Sequence, residues 1–447
     1  MEKREIDLNT REIMPDVMGD LGRLVAHASI AFPGFPPEPV DDAREETIKI
    51  LRRAGFDSVK ELDLGAGYPA VVAEAAGPAN APTVLMYAHY DVQPVPADQI
   101  WESDPWRLTK RADGRYYGRG AADNKSGIVI HAGTLRVLNG KPPVNLKVVI
   151  EGEEETVSNL EPFIDRNPGL FQADAMLISD MGNIQAGRPV LTTTLRGTVV
   201  CVIEVETIST PLHSGIFGGP APDALVALIK VLSTLWDDRG NTVVEPLRSY
   251  DWPDDAFPEA LFREQAGVPP DVDLTGEGTI ASRLWSKPSV TVIGLDAPRV
   301  ADAGNALIPK ASARLSLRIA PGENPKHAIR ALTNHLKSAA PWPVKIAIQE
   351  IMAADPFTAP QGGKAMAAAK RALAEVYENQ PLEAGSGGSI PLLERLREAS
   401  PKAEFILWGA SDTAALIHGA NESVDPIEIE KMIAAQALML QYLARSA

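Results

Sequence analysis

Cysteine is nearly absent. One residue, Cys201, occurs in 447, so no intrachain disulfide can form. That fits a reducing compartment. Cys201 lies in the apolar run from Thr198 to Ile203 and is expected to be a buried structural thiol. Apolar runs long enough to span a bilayer are also missing. The N-terminal Met1–Asp7 is charged, without the apolar core of a signal peptide. Cytoplasmic residence and no membrane partner are therefore expected. Positive charge is in deficit, with 43 Lys and Arg against 59 Asp and Glu and a net charge of −16. A nucleic-acid partner needs a basic face and is not expected. An anionic small substrate is still compatible, because one local cation can dominate a closed pocket. No internal repeat or low-complexity tract is present.

What is there is a globular composition, 45% hydrophobic and 23% charged, in a chain too long for one ordinary core. Pro15–Ala28 and Glu45–Ala54 read as helices, the second ending at Gly55, with a proline-rich loop at Pro33–Pro39 between them. Thr83–Ala88, Asn145–Ile150 and Ala175–Ser179 are short apolar runs of the kind that form buried strands. Ser126–Leu138 reads as a helix between the first two. Strands alternating with helices imply an α/β layer fold.

The texture changes near Val190. Leu195–Glu206 reads as a long strand and Asp223–Trp236 as a helix. An irregular Asp- and Pro-rich stretch, Asp237–Pro270, follows. Val290–Leu295 and Ala311–Ile319 read as strands and Pro325–Ala339 as a helix. After about Asp355 the α/β pattern returns, with helices at Gly363–Tyr377, Ile390–Glu398 and Ile427–Ala444 and a strand at Glu404–Trp408. The expected architecture is a discontinuous catalytic α/β domain, residues 1–190 plus 356–447, with helices on both faces of a mixed sheet. A smaller α+β domain, residues 191–355, interrupts it.

Chemistry-bearing residues collect just beyond the apolar strands. His89 and Asp91 follow the first at a spacing that puts both on one face of extended chain. They suit a metal ligand and the carboxylate that orients it, or a pair that caps a turn. Asp123, in Gly118–Gly127, stands at a helix mouth, where an N-cap is the plain alternative. Glu153, Glu154 and Glu155 follow the second strand, and clustered carboxylates repel one another unless cations intervene. Asp180 ends the third strand, and His418 comes shortly after the last. Mixed His and carboxylate donors suit zinc or a related metal better than calcium.

In order and spacing, His89-x-Asp91, Asp123-Asn124, Glu154-Glu155, Asp180 and His418 resemble the M20 metallopeptidase family, its carnosine-dipeptidase-like branch above all. Leu212-His213-Ser214-Gly215, Gly387-Gly388-Ser389-Ile390-Pro391 and Trp408-Gly409 extend the resemblance over nearly the whole chain. It implies a metal-dependent hydrolase of dipeptides or similar small peptide-like substrates, with two divalent ions, most simply Zn2+, with Mn2+ or Co2+ as alternatives. By position, His89 and Asp180 would hold one metal and Glu155 and His418 the other. Asp123 would bridge them, its bond to Asn124 cis. Asp91 would orient His89, and Glu154 would be the general base.

The inserted domain would be a ferredoxin-like lid through which a homodimer forms. His213 would reach a partner's site as oxyanion donor; a surface-loop histidine is its plainer reading. Arg318 would bind a substrate carboxylate, against the alternative of a sheet-surface ion pair. Asn305 would contact substrate, and Gly387, Gly388 and Ser389 would bring backbone donors close to it. Three departures stand out. Gly385-Ser386 replaces the usual Arg-Glu before Gly-Gly-Ser, which puts dipeptide preference in doubt. Val157 replaces a glycine, and Thr210-Pro211 stands where Arg-Asp is frequent. An N-acyl amino acid deacylase would use the same centre, and a catalytically silent binding homologue would have lost a ligand or the base.

Overall fold

The computed structural model describes residues 1–253 and 256–446. The chain divides into two compact units, Met1–Thr193 with Ala359–Glu383 and Leu392–Ala447, and Thr194–Thr358 with Ala384–Pro391.

The first unit is built on a mixed sheet. Its strands run in the order Ser58–Leu62, Ala70–Ala75, Asn145–Glu151, Thr83–His89, Ala175–Ile178, Glu404–Leu407, Val190–Leu195. The middle four are mutually parallel. Buried on both faces, they need no hydrophobic–polar alternation, which is why they read as continuous apolar runs. Val84, Met86 and Ala88 share one core with Leu146, Val148, Ile150, Ala175 and Leu177. Buried residues of the helices Lys3–Val25, Glu38–Ala54, Lys125–Val137, Lys364–Tyr377 and Pro426–Ser446 complete it.

The second unit has a four-stranded antiparallel sheet in the order Ser289–Asp296, Lys310–Ile319, Gly197–Glu206, Lys345–Ala354. Val199, Cys201, Ile203 and Val205 alternate onto one face. There they meet Leu315 and Leu317, together with Ala227, Leu228 and Val231 of the Ala224–Ser233 helix and Leu332 and Leu336 of the Pro325–Ser338 helix. Cys201 is buried in this core, and burial pushes its thiol up to about 11.

Several boundaries differ from the sequence expectation. The first helix starts at Lys3 and runs through Pro15 to Val25. Ile6 and Thr10 are buried along with Val17, Leu21 and Leu24, so tertiary packing carries the helix across the proline. The second begins at Glu38, directly after Pro37, where a proline's missing N–H is harmless. Gly55 caps it with φ 97°. The strands Ser58–Leu62, Ala70–Ala75 and Lys345–Ala354 were not expected. Among its described residues, the irregular stretch Asp237–Pro270 holds one helix, Glu259–Ala266; residues 254–255 lie outside them. Among the described residues, no helix is long and apolar enough to cross a membrane.

Candidate metal centre

The parallel strands of the first unit end together. His89 pairs in register with Glu151, and Tyr87 with Ile178. The loops leaving these ends converge, as they do at the carboxyl edge of α/β sheets generally. His89, Asp91, Asp123, Glu154, Glu155, Asp180 and His418 all lie in this unit.

Asp91 is fully buried and links two loops. Its carbonyl oxygen lies 3.1 Å and its Oδ1 3.3 Å from His89 Nδ1, while Oδ1 also accepts the Glu154 N–H at 3.1 Å and Oδ2 the Glu155 N–H at 3.0 Å. With Nδ1 facing these acceptors, the neutral ring carries its proton there and leaves the Nε2 lone pair free. The turn bearing Asp123 is held by a residue the sequence reading missed. Glu422, buried, accepts the N–H groups of Ala122 and Asp123 at 3.0 Å each and that of Gly120 at 3.1 Å. Arg119 Nη1 donates to the same carboxylate at 2.7 Å, while its Nη2 donates to the carbonyls of His418 at 3.2 Å and Gly419 at 3.1 Å. One buried ion pair thus ties the Asp123 turn to the His418 loop. The Asn124 amide donates to Ser179 O at 2.6 Å and to Asp180 Oδ1 at 3.0 Å, and the Asp123–Asn124 bond is cis.

The result is symmetrical about Asp123. Its Oδ1 lies 3.1 Å from His89 Nε2, and its Oδ2 lies 3.0 Å from His418 Nε2. Asp180 Oδ1 stands 3.7 Å from His89 Nε2, and Glu155 Oε2 stands 3.3 Å from His418 Nε2. Two groups of possible donors share this one carboxylate: His89, Asp123 and Asp180, and Asp123, Glu155 and His418, each with its donor atoms within 4.8 Å of one another. Glu154 Oε2 lies 3.8 Å from His89 Nε2 and is a member of neither group. Gln93, also missed, donates to Glu155 Oε2 at 2.8 Å.

The electrostatics call for cations. Among the described residues, no Lys or Arg forms an ion pair with Asp123, Glu154, Glu155 or Asp180. Burial, reinforced by Asp180, Glu155 and Asp123, raises the Glu154 carboxyl well above its usual range despite His89. Burial lifts Asp180 to about 6. Burial would also raise Asp123, but His418 and His89 hold it low. Asp123 and Glu155 push His418 up to about 10; burial would lower His89, but Asp123, Asp180 and Asp91 raise it. Displaced titrations clustered at converging strand ends mark a functional site. Three carboxylates and two imidazoles in two groups around a shared carboxylate fit two divalent ions of the zinc type.

The remaining expected residues all lie in the second unit. His213, exposed, ends a two-residue strand paired with Ala306–Leu307, and Asn305 O accepts the Ser214 N–H at 2.9 Å. His213 Nδ1 accepts the Gly215 N–H at 3.1 Å. Arg318 has no ion-pair partner among the described residues; its Nη1 donates to Thr198 Oγ1 at 2.5 Å and Ser389 Oγ at 3.3 Å. Gly387 packs against Arg196. The Gly388 N–H is already engaged by the Ser386 hydroxyl at 3.1 Å, so of the three expected backbone donors this one is taken.

A model of peptidase family M20/M25/M40 matches residues 85–444. The chain is 37% identical over 440 residues to the cysteinylglycine-S-conjugate dipeptidase of Corynebacterium striatum, covering 95% of this chain and 94% of that one. It is 29% identical over 405 residues to the Beta-Ala-His dipeptidase of Rattus norvegicus, covering 84% and 80%. Among solved structures, the Saccharomyces cerevisiae dipeptidase Dug1p superimposes with a TM-score of 0.84 at 23% identity, covering 99% of both chains. Human carnosine dipeptidase 1 gives 0.83 at 23% identity, covering 100% and 99%.

Proposed function

The chain belongs to peptidase family M20/M25/M40, and on that premise we propose that it is a metal-dependent dipeptidase cleaving the amide bond of small peptide-like substrates. The observation that carries this reading is the Asp123 carboxylate, with one oxygen facing His89 and the other facing His418. His89, Asp123 and Asp180 would hold one divalent ion and Asp123, Glu155 and His418 the other, zinc being the first candidate. When bound, such a pair polarises the scissile carbonyl and acidifies water.

The protein's own groups do the rest. Glu154 stands beside both groups without belonging to either. It takes the proton of the attacking water and delivers it to the leaving amine as the C–N bond breaks. Asp91 keeps the His89 ring turned and fixes the Glu154–Glu155 backbone from the same carboxylate. In the second unit, which we read as the lid and the dimerisation domain, His213 accepts at Nδ1, so its neutral ring carries the proton on Nε2. That is the donor a tetrahedral oxyanion needs. Exposed Val226, Ile229, Ile293 and Leu295 in this unit support a homodimer face. Arg318, without a carboxylate of its own, suits the substrate's terminal carboxylate, with Asn305 and the Gly387–Ser389 segment as further contacts.

The test is Glu154→Gln in a metal-loaded protein assayed on dipeptides and N-acyl amino acids. Metal content should stay at wild-type level, and dipeptide turnover should fall roughly 10²–10⁴-fold. If Glu154→Gln lost metal while Glu155→Gln kept it, the two roles would be exchanged. Hydrolysis of N-acyl amino acids and of no dipeptide by the wild type would replace the dipeptidase reading with a deacylase.

A further inference from the structure

The second unit contains a cavity of about 630 Å³ that the reaction as described does not use. Trp236, Phe262, Val272 and Leu274 give it an apolar lining, and Arg196, Leu284 and Ser289 are also among its walls. These last three connect it to the residues read as holding the substrate's carboxylate. Ser289 is the direct cross-strand partner of Arg318, which puts the two side chains on one face of the sheet. Arg196 Nη1 donates to Ser289 Oγ at 3.0 Å. A side chain at Gly387 would stand 3.0 Å from Arg196 Nη2 and 3.4 Å from Leu284 O, so Gly387 lies against the same wall. Arg196 itself is 7% exposed, and its buried Nε has no hydrogen-bond partner. A buried donor without an acceptor costs stability unless a ligand or water satisfies it.

We propose that this cavity is the subsite for the side chain of the substrate's C-terminal residue, and that it selects a bulky aliphatic or aromatic one. The inference rests on the dipeptidase reading with Arg318 as carboxylate partner. A residue whose carboxylate sits on Arg318 projects its side chain from the adjoining carbon, and this cavity shares the Arg196 and Ser289 wall with that site. Its size fits one large side chain with room to spare.

The experiment separates binding from turnover. Metal-loaded Glu154→Gln protein is titrated by calorimetry with N-acetyl-L-phenylalanine and with N-acetylglycine. The phenylalanine derivative should bind on the order of tenfold tighter or more, the worth of a partly buried ring. Val272→Trp and, separately, Val268→Trp narrow the cavity at residues outside the catalytic set. Each should bring the phenylalanine derivative to within about twofold of N-acetylglycine and leave N-acetylglycine unchanged. In otherwise wild-type protein the same variants should lower kcat/KM for dipeptides ending in Phe or Leu about tenfold and spare those ending in Gly. Equal affinity for the two probes, no binding of the phenylalanine derivative, or indifference to both variants overturns the proposal. If the probes discriminate as expected but no dipeptide is hydrolysed, the subsite stands and the dipeptidase reading falls.

Discussion

Replacing Asp91 with Asn tests whether a residue outside both donor groups governs the centre. The side chain keeps its shape and loses its charge. Both carboxylate oxygens are committed, Oδ1 to His89 and the Glu154 N–H and Oδ2 to the Glu155 N–H. An amide has one oxygen, so one backbone N–H must face an NH2 group, and one buried donor goes unsatisfied at about 1–3 kcal/mol. His89 keeps the Asp91 carbonyl 3.1 Å from Nδ1 but loses the negative charge that makes Nε2 a stronger donor, which in metal sites generally costs about 10–100-fold in affinity. That equals roughly 1.4–2.7 kcal/mol. Chelator competition should therefore show metal binding 10–100-fold weaker in Asp91→Asn, and urea unfolding of the metal-free protein should show a stability loss of about 1–3 kcal/mol. At saturating metal much of the turnover should return, unlike in Glu154→Gln. Affinity within twofold of wild type would refute the orienting role and leave Asp91 as a buried turn cap.

Three further outcomes follow from the same geometry. In the metal-free protein Asp123 and Glu155 push His418 up to about 10, so at pH 7 it carries a proton that a metal must expel, and Asp123, Asp180 and Asp91 shift His89 in the same direction against burial. Calorimetry at pH 7 in buffers of different ionisation enthalpy should show one to two protons released per protein, roughly, with affinity rising with pH; a buffer-independent enthalpy would contradict this. His213→Ala should lower kcat about 10²–10³-fold with metal content unchanged, and wild-type turnover would remove its oxyanion role. Glu422→Ala leaves Arg119 buried without its partner and three N–H groups without an acceptor, so urea denaturation should show a loss of about 3–5 kcal/mol. A loss under about 1 kcal/mol would mean that Glu422 does not anchor the Asp123 turn.

The residues of the candidate metal centre stand out in the sequence because they break a pattern. His89 ends an apolar strand, and Glu154 and Asp180 come three and two residues after the ends of two others, where a charged group has no structural reason to be. Helix boundaries carried a weaker signal. Pro15 reads as a helix start, and nothing local shows that Ile6 will be buried and pull the helix back to Lys3. Ser58–Leu62 and Lys345–Ala354 are edge strands with few buried residues, so their half-polar sequences match no buried-strand template. Glu422 was illegible for another reason. It lies in the polar stretch Ala420–Ser423, and its importance arises only when the fold brings Arg119 against it from far along the chain. Arg119 lies in the Gly118–Gly127 segment, yet an arginine between two glycines has no distinguishing spacing.

The departure at Gly385-Ser386 acquires a physical meaning in the second unit. A Cβ at Gly385 would lie 2.5 Å from Trp285 Cβ and 2.7 Å from its Cγ, so the position is closed to any side chain. Trp285 is held there by an edge-to-face contact with Trp252 at 5.1 Å and a stacked one with Phe257 at 6.3 Å. The family's usual arginine is thus excluded by an aromatic cluster and not merely absent, and restoring it alone would collide with the indole. Its usual glutamate is replaced by Ser386, whose hydroxyl accepts the Gly388 N–H and shapes the segment that follows. Removing that acid also removes a competitor. Arg196 and Arg318 lie close enough for like-charge repulsion to help lower Arg196, after burial, to about 10, and neither has a carboxylate partner among the described residues. A buried guanidinium, Arg196, beside the half-buried one of Arg318, with no counterion for either, is unfavourable alone and would be relieved by an incoming carboxylate. On the proposed carboxylate-binding role of Arg318, the exchange of a charged pair for Gly-Ser would shift ion pairing in this pocket from the protein to the substrate.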